Sequence, residues 1–77
     1  MELSKETEII LSMCWEKDER RSTNFLIDEK YEWKGEKYKP TENTYKELVM
    51  YQELGDRPIK IYRNGKYINI TGGTIIK

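Results

Sequence analysis

Apolar positions recur along this chain in two different periods. Near the start, Ile9, Ile10, Met13 and Cys14 share one stripe at i, i+3, i+4 spacing, the period of an amphipathic helix. Ser4 stands where an N-cap belongs, Glu6 and Glu8 fall in the first turn, and Arg20 and Arg21 in the last. That charge order suits the helix macrodipole, so the pattern predicts a helix within residues 1–22. Leu11 and Trp15 lie off the stripe and widen the apolar arc to roughly 240°, against the ~100° of a helix resting on one surface. A helix this broadly apolar is expected to be covered twice, by its own sheet and, through Leu11 and Trp15, by a second subunit or a partner. The simpler alternative has Trp15 wrapping the edge of a single core.

From residue 24 the period shortens. Phe25-Leu26-Ile27 is a short apolar run, and Tyr31-Glu32-Trp33 alternates as a half-buried strand does. Lys34-Gly35-Glu36-Lys37 reads as a turn, and Tyr38 opens the next strand, which Pro40 confines to an edge or ends early. Residues 44–54 carry two patterns at once. Thr44 followed by Glu47 has the form of a capping box, with Gly55 as a helix stop. Yet Leu48-Val49-Met50-Tyr51 is a continuous apolar run suited to a buried strand, and period alone leaves both open.

The C-terminal pattern is sharper. Ile59-Lys60-Ile61-Tyr62-Arg63 and Lys66-Tyr67-Ile68-Asn69-Ile70 flank Asn64-Gly65, a dipeptide that favours a type I′ hairpin turn because both central positions there need positive φ. A two-residue Asn64-Gly65 loop sets Arg63 opposite Lys66, Tyr62 opposite Tyr67, Ile61 opposite Ile68, Lys60 opposite Asn69 and Ile59 opposite Ile70. One face of the hairpin is then Ile59, Ile61, Ile68 and Ile70, which is expected to be core. The other is Lys60, Tyr62, Tyr67 and Asn69. Gly72-Gly73 predicts a second turn, with Thr74-Ile75-Ile76 returning as a third strand.

The middle of the chain resembles a small uncharacterised bacterial family of SH3-like barrel domains. Its members carry a Tyr-x-x-Lys-Gly-x-x-Tyr segment, then a Glu-Leu-Val-Val-Tyr-Gln-like run, then Gly-Asp. The matching stretches are Tyr31 to Tyr38, Glu47-Leu48-Val49-Met50-Tyr51-Gln52, and Gly55-Asp56, about a third of the chain. The linkers between them are short here, the family's closing Trp-Val-Arg-Pro-like strand is missing, and the N-terminal helix lies outside the match. The resemblance implies that residues 46–54 form a strand of a small barrel, and it carries no activity with it. The expected fold is thus α+β in a single domain over 1–77. A helix within 1–22 packs on a β-rich part over 24–77, either an SH3-like barrel or a twisted sheet ending in a β-meander.

Composition narrows the function. With 77 residues, a domain buries only about 60% of the surface its unfolded chain exposes, so self-association is a natural way to bury more, and a homo-oligomer is expected. Six tyrosines, two tryptophans and one phenylalanine argue against disorder. Fourteen bases balance fourteen acids, but unevenly: residues 57–77 hold Arg57, Lys60, Arg63, Lys66 and Lys77 with no acid. One cysteine, Cys14, allows no internal disulfide, which fits a reducing cytoplasm. No apolar run approaches the ~18 residues of a membrane span, and the first residues lack the pattern of a signal peptide.

The absence of histidine removes the commonest general base, the Ser-His and Cys-His nucleophile pairs and most zinc sites. Cys14 sits within the apolar helix pattern, where a buried thiol is expected. Glu16, Asp18, Glu19, Asp28 and Glu29 are interspersed with bases and read as a solvated surface rather than an acid–base pair. No cofactor, metal or enzymatic activity is expected.

The candidate site is therefore the hairpin. Tyr62, Tyr67 and Asn69 stand beside Lys60, with Arg63 and Lys66 flanking the turn and Trp33 as a further aromatic. Aromatics beside cations suit an anionic, ring-bearing ligand, although cross-strand tyrosines also stabilise a hairpin that binds nothing. The leading expectation is a non-catalytic inhibitor of the kind mobile elements and phages encode, sequestering a nucleotide-like anion. A second is a protein–protein inhibitor or adaptor capping a larger partner through Trp33 and the Leu11/Trp15 side of the helix. A third is a nucleic-acid-binding barrel, against which zero net charge and the acidic first half weigh.

Overall fold

Every apolar residue of the hairpin's predicted inner face is used by the fold. In the computed structural model, which describes residues 2–15, 21–54 and 59–72, two helices and two small antiparallel sheets surround one core. The order is α1 (Lys5–Trp15), β1 (Arg21–Leu26), β2 (Tyr31–Trp33), β3 (Glu36–Tyr38), α2 (Glu42–Glu53), β4 (Lys60–Asn64) and β5 (Tyr67–Gly72). One sheet has the order β1-β5-β4, and β2 and β3 form a separate hairpin. Ile9, Ile10, Leu11, Met13 and Cys14 of α1 meet Leu48 of α2, Phe25 of β1, Tyr38 of β3, and Ile59, Ile68 and Ile70. Both helices thus lie against one face of the three-stranded sheet.

Ser4 caps α1 as its position predicts. Its carbonyl accepts from Glu8 N–H at 3.1 Å, and its hydroxyl accepts from Thr7 N–H at 3.4 Å. The helix is shorter than its charge pattern predicts: Arg21, assigned to the last helical turn, opens β1 instead, pairing with Gly72. Arg20 lies outside the described residues.

Residues 42–53 are helical, which overturns the strand that the family resemblance implies over 46–54. The deciding signal lies upstream. Thr41, extended at φ −126° and ψ 176°, caps the helix, and Thr44 returns the bond: Thr44 N–H donates to Thr41 Oγ1 at 3.3 Å, and Thr41 N–H donates to Thr44 Oγ1 at 3.0 Å. The box therefore starts three residues before the Thr44–Glu47 pair, and α2 fully buries Thr44 and Leu48. With α2 helical and the strands divided between two sheets, no closed barrel forms among the described residues. Gly55, read as a helix stop, lies outside them.

The β2–β3 hairpin turns more tightly than the four-residue turn expected. Lys34 at φ 50° and Gly35 at φ 79° form a two-residue type I′ loop, so Glu36 and Lys37 belong to β3, and Tyr31 pairs with Tyr38. Those two rings stack at 5.6 Å and 26°, and Phe25 of β1 meets each edge-on at 5.9 and 6.3 Å. β3 ends at Tyr38, two residues before the buried Pro40.

The β4–β5 hairpin forms, one position out of the expected register. The loop is Gly65-Lys66, not Asn64-Gly65: Asn64 pairs with Tyr67, Arg63 with Ile68, Tyr62 with Asn69, Ile61 with Ile70 and Lys60 with Thr71. Only Gly65, at φ 63°, is left-handed here, which is the requirement of a type II′ turn with glycine at its first central position. Because the loop slides by one residue on both strands together, each side chain keeps its face. Gly72, expected in a second turn, is the last residue of β5, and β1 occupies the edge of β5 that a returning strand would need. Residues 74–76 lie outside the described residues.

Candidate functional site

The helices cover the Ile59, Ile61, Ile68 and Ile70 side of the sheet and leave the other side open. Strand alternation puts Lys60, Tyr62 and Asn64 of β4 on that open face, beside Tyr67, Asn69 and Thr71 of β5. β1 adds Ser22, Asn24 and Leu26, through the pairs Ser22–Thr71, Asn24–Asn69 and Leu26–Tyr67. Tyr62 is 56% exposed and Tyr67 is 49% exposed. None of these nine residues is acidic, in a chain with fourteen acids.

Asn69 organises the middle of the face. Its carboxamide N–H donates to Asn24 Oδ1, and its Oδ1 accepts from Ser22 Oγ at 3.4 Å and Thr71 Oγ1 at 3.2 Å. The amide N–H donors of Asn24 have no partner among the described residues. Lys60 and Lys66 are exposed and enter no ion pair among the described residues. The face thus combines two aromatic rings, a held polar row and an ammonium that no described carboxylate pairs with.

Of the residues expected to form the site, Lys60, Tyr62, Tyr67 and Asn69 come together. Tyr62 and Tyr67 are diagonal neighbours instead of the directly opposed pair that a loop at Asn64-Gly65 would give. Arg63 points to the helical side: its Nη1 meets Glu42 Oε1 at 2.6 Å, its guanidinium lies 5.4 Å from the Tyr45 ring centre, and its Nε donates to Gly65 C=O at 3.2 Å. Lys66 stands in the turn, at the rim. Trp33 belongs to the other sheet, half-buried against the core, with the Lys34 ammonium 5.6 Å from its ring. It borders a cleft of about 430 Å³ with Lys5, Ile9 and Ser12 of α1, away from the tyrosines.

The proposed subunit contact also changes. Leu11 is 3% exposed and packs in this chain's own core, so its side chain is already covered. The Trp15 side chain lies outside the described residues. The exposed apolar spot on the helices is instead Met50 and Leu54, 49% and 61% exposed at the end of α2.

Sequence reasoning missed β1's contribution. Ser22 and Asn24 alternate with Thr23 and Phe25, a strand signal that the Phe25-Leu26-Ile27 run obscured. A larger cavity, about 530 Å³, lies over the Tyr31–Tyr38 stack with Lys30, Lys37 and Lys39 at its rim beside Glu6 and Glu32. Among the described residues no cluster of three metal-ligating side chains exists, and no helix is long and apolar enough to cross a membrane.

The site and fold define an α+β domain with one open sheet face. No family model, curated protein or solved structure matches the chain.

Proposed function

We propose that this protein is a non-catalytic binding module, and that the open face of its three-stranded sheet takes an anionic, ring-bearing ligand of the nucleotide kind. One observation carries the reading: the acid-free face presents Tyr62 and Tyr67 beside an ammonium, Lys60, that no carboxylate among the described residues neutralises. Stacking a base on an exposed tyrosine is worth about 1–3 kcal/mol, and a phosphate beside Lys60 adds a charge-assisted contact. A domain of this size with such a face acts by occupancy, sequestering its ligand as a stoichiometric inhibitor does. Calorimetric titration of cyclic and linear nucleotides against wild type, Tyr62→Ala and Lys60→Ala tests it. Heat that both substitutions reduce is the expected result. No heat from any nucleotide, monomeric or oligomeric, or heat indifferent to both substitutions, removes the reading.

A second reading, a module that caps a protein partner or a second copy of itself, is favoured by Met50 and Leu54. Large apolar side chains left in water on one helix end are a feature of docking surfaces. Sedimentation of wild type against the Met50→Ser/Leu54→Ser variant reads it directly. Equal mass for both, as a monomer at all concentrations, excludes self-association through α2.

A further inference from the structure

The two tyrosines do not make one site. With the loop at Gly65-Lys66, Tyr62 pairs with Asn69 and Tyr67 with Asn64, so the rings stand one rung apart on a diagonal. Diagonal neighbours across antiparallel strands are separated by roughly 7–8 Å, about twice the ~3.4 Å between successive bases stacked in a duplex strand. One base can cover one ring and leaves the other bare. Two bases that cover both rings are unstacked from each other, the condition of an extended single strand and not of a duplex.

Resting on the reading of the open face as the binding site, we infer that its ligand is a single strand of nucleic acid, two or more nucleotides long, instead of a mononucleotide. Three further features fit a strand. On all three strands the face is uncovered by any described residue, so none of them encloses a small molecule, whereas small-ligand sites bury most of their ligand's surface. The Asn24–Asn69 pair lies in the same row as Tyr62, on β1 and β5, and the Asn24 N–H donors, without a partner among the described residues, can meet a base edge or a phosphate. Lys60 sits on the same face two residues from Tyr62, where the backbone of a strand stacked on that ring continues. The chain's neutrality does not oppose this, because none of the nine residues of the face is acidic.

The test is a length series. Fluorescein-labelled oligo-dT and oligo-rU of about two, four and eight nucleotides are titrated by anisotropy at low salt, and thymidine and uridine monophosphate are added as competitors. Affinity that rises from the mononucleotide to the two-base ligand, then levels off once the sheet is spanned, is the expected result. Tyr62→Ala and Tyr67→Ala should each weaken the longer oligomers by about 5- to 150-fold, the equivalent of one lost stack. Either substitution should bring a two-base ligand down to mononucleotide affinity. Lys60→Ala should flatten the plot of log affinity against log salt by about 0.7, one phosphate's share on a single strand. Arg63→Ala, on the other face, should leave every one of these affinities unchanged. Both rings are half exposed, so the variants are expected to fold, and a urea midpoint confirms it. Mononucleotides that bind as tightly as the oligomers would overturn the strand and leave the site standing. Binding of neither, or oligomer binding that survives both tyrosine substitutions, would overturn the site as well.

Discussion

Glu47 of α2 caps the N-terminus of α1, 43 residues away in sequence. Its Oε1 accepts from Ser4 N–H at 2.9 Å, Ser4 Oγ at 2.8 Å and Thr7 Oγ1 at 2.6 Å, while Oε2 accepts from Asn43 at 3.1 Å. A carboxylate at this point meets both the unpaired donors and the positive end of the helix dipole. It also gives the hydroxyl of Thr7, a residue 0% exposed, the partner that a buried polar group requires. The bond from Thr7 is the main reason the Glu47 carboxyl is held below its ordinary range, with the Ser4 amide second.

Replacing Glu47 should therefore loosen the two helices from each other. Glu47→Ala is expected to cost about 1–3 kcal/mol at neutral pH, the loss of charged hydrogen bonds that leaves the buried Thr7 hydroxyl with Ser4 Oγ alone, at 3.1 Å. The pH dependence has a definite sign. The folded carboxyl binds its proton less readily than the unfolded one, so its contribution is complete above the ordinary carboxylate pKa and fades as pH falls below it. Urea midpoints of wild type and Glu47→Gln should differ most near pH 7 and converge towards pH 3. A gap that stays constant across that range would contradict the charge-based account.

The turn at Gly65 separates two registers that the sequence allows. In a type I′ loop at Asn64-Gly65, Asn64 would need positive φ; in the observed loop it is an ordinary strand residue and Gly65 alone is left-handed. Gly65→Ala should destabilise by about 1–2 kcal/mol, the cost of a Cβ in that conformation. No atom crowds the position, so the effect is conformational and not steric. Asn64→Ala should cost much less. Thermal midpoints that fall equally for both substitutions would favour the other register.

The same turn shows what was legible in the chain and what was not. Alternation fixed the two faces of the hairpin, because the two registers differ by one step of the loop and that step preserves every side chain's orientation. It did not fix which side chains stand opposite each other, since either Asn64-Gly65 or Gly65-Lys66 can make a two-residue loop. The α2 helix was hidden by Leu48-Val49-Met50-Tyr51, whose run reads as a strand. The fold resolves it by burying Leu48, half-burying Val49 and Tyr51, and exposing Met50. β1 was the least legible part of the site. Its pairing with β5 joins residues more than forty apart, and no local pattern states that Asn24 will meet Asn69.

Arg63 provides a control for the binding face. Its salt bridge to Glu42 is about half exposed, so with the Tyr45 ring contact it contributes no more than about 1 kcal/mol. Arg63→Ala should lower stability by that amount and leave ligand affinity unchanged. A loss of affinity without a loss of stability would place the guanidinium on the ligand and reverse the division of faces.

Tyr38 should make the fold sensitive to alkali. Burial pushes its phenol up to about 12, with Tyr31 beside it adding to the effect, and its hydroxyl lies 3.9 Å from the Met13 sulfur. The unfolded chain releases this proton near pH 10, while the folded chain holds it to about 12. The folded state thus binds the proton more tightly, so this contribution is complete below pH 10 and is lost as pH rises through about 12. Stability measured by urea at pH 9 and again near pH 11.5 should fall more steeply for wild type than for Tyr38→Phe, which keeps the ring stacked on Tyr31 and removes the titrating group. In an absorbance titration of the folded protein, the tyrosinate signal of wild type should show a late component that Tyr38→Phe lacks. Parallel stability curves for the two proteins would mean that the Tyr38 phenol ionises at its ordinary pKa despite its burial.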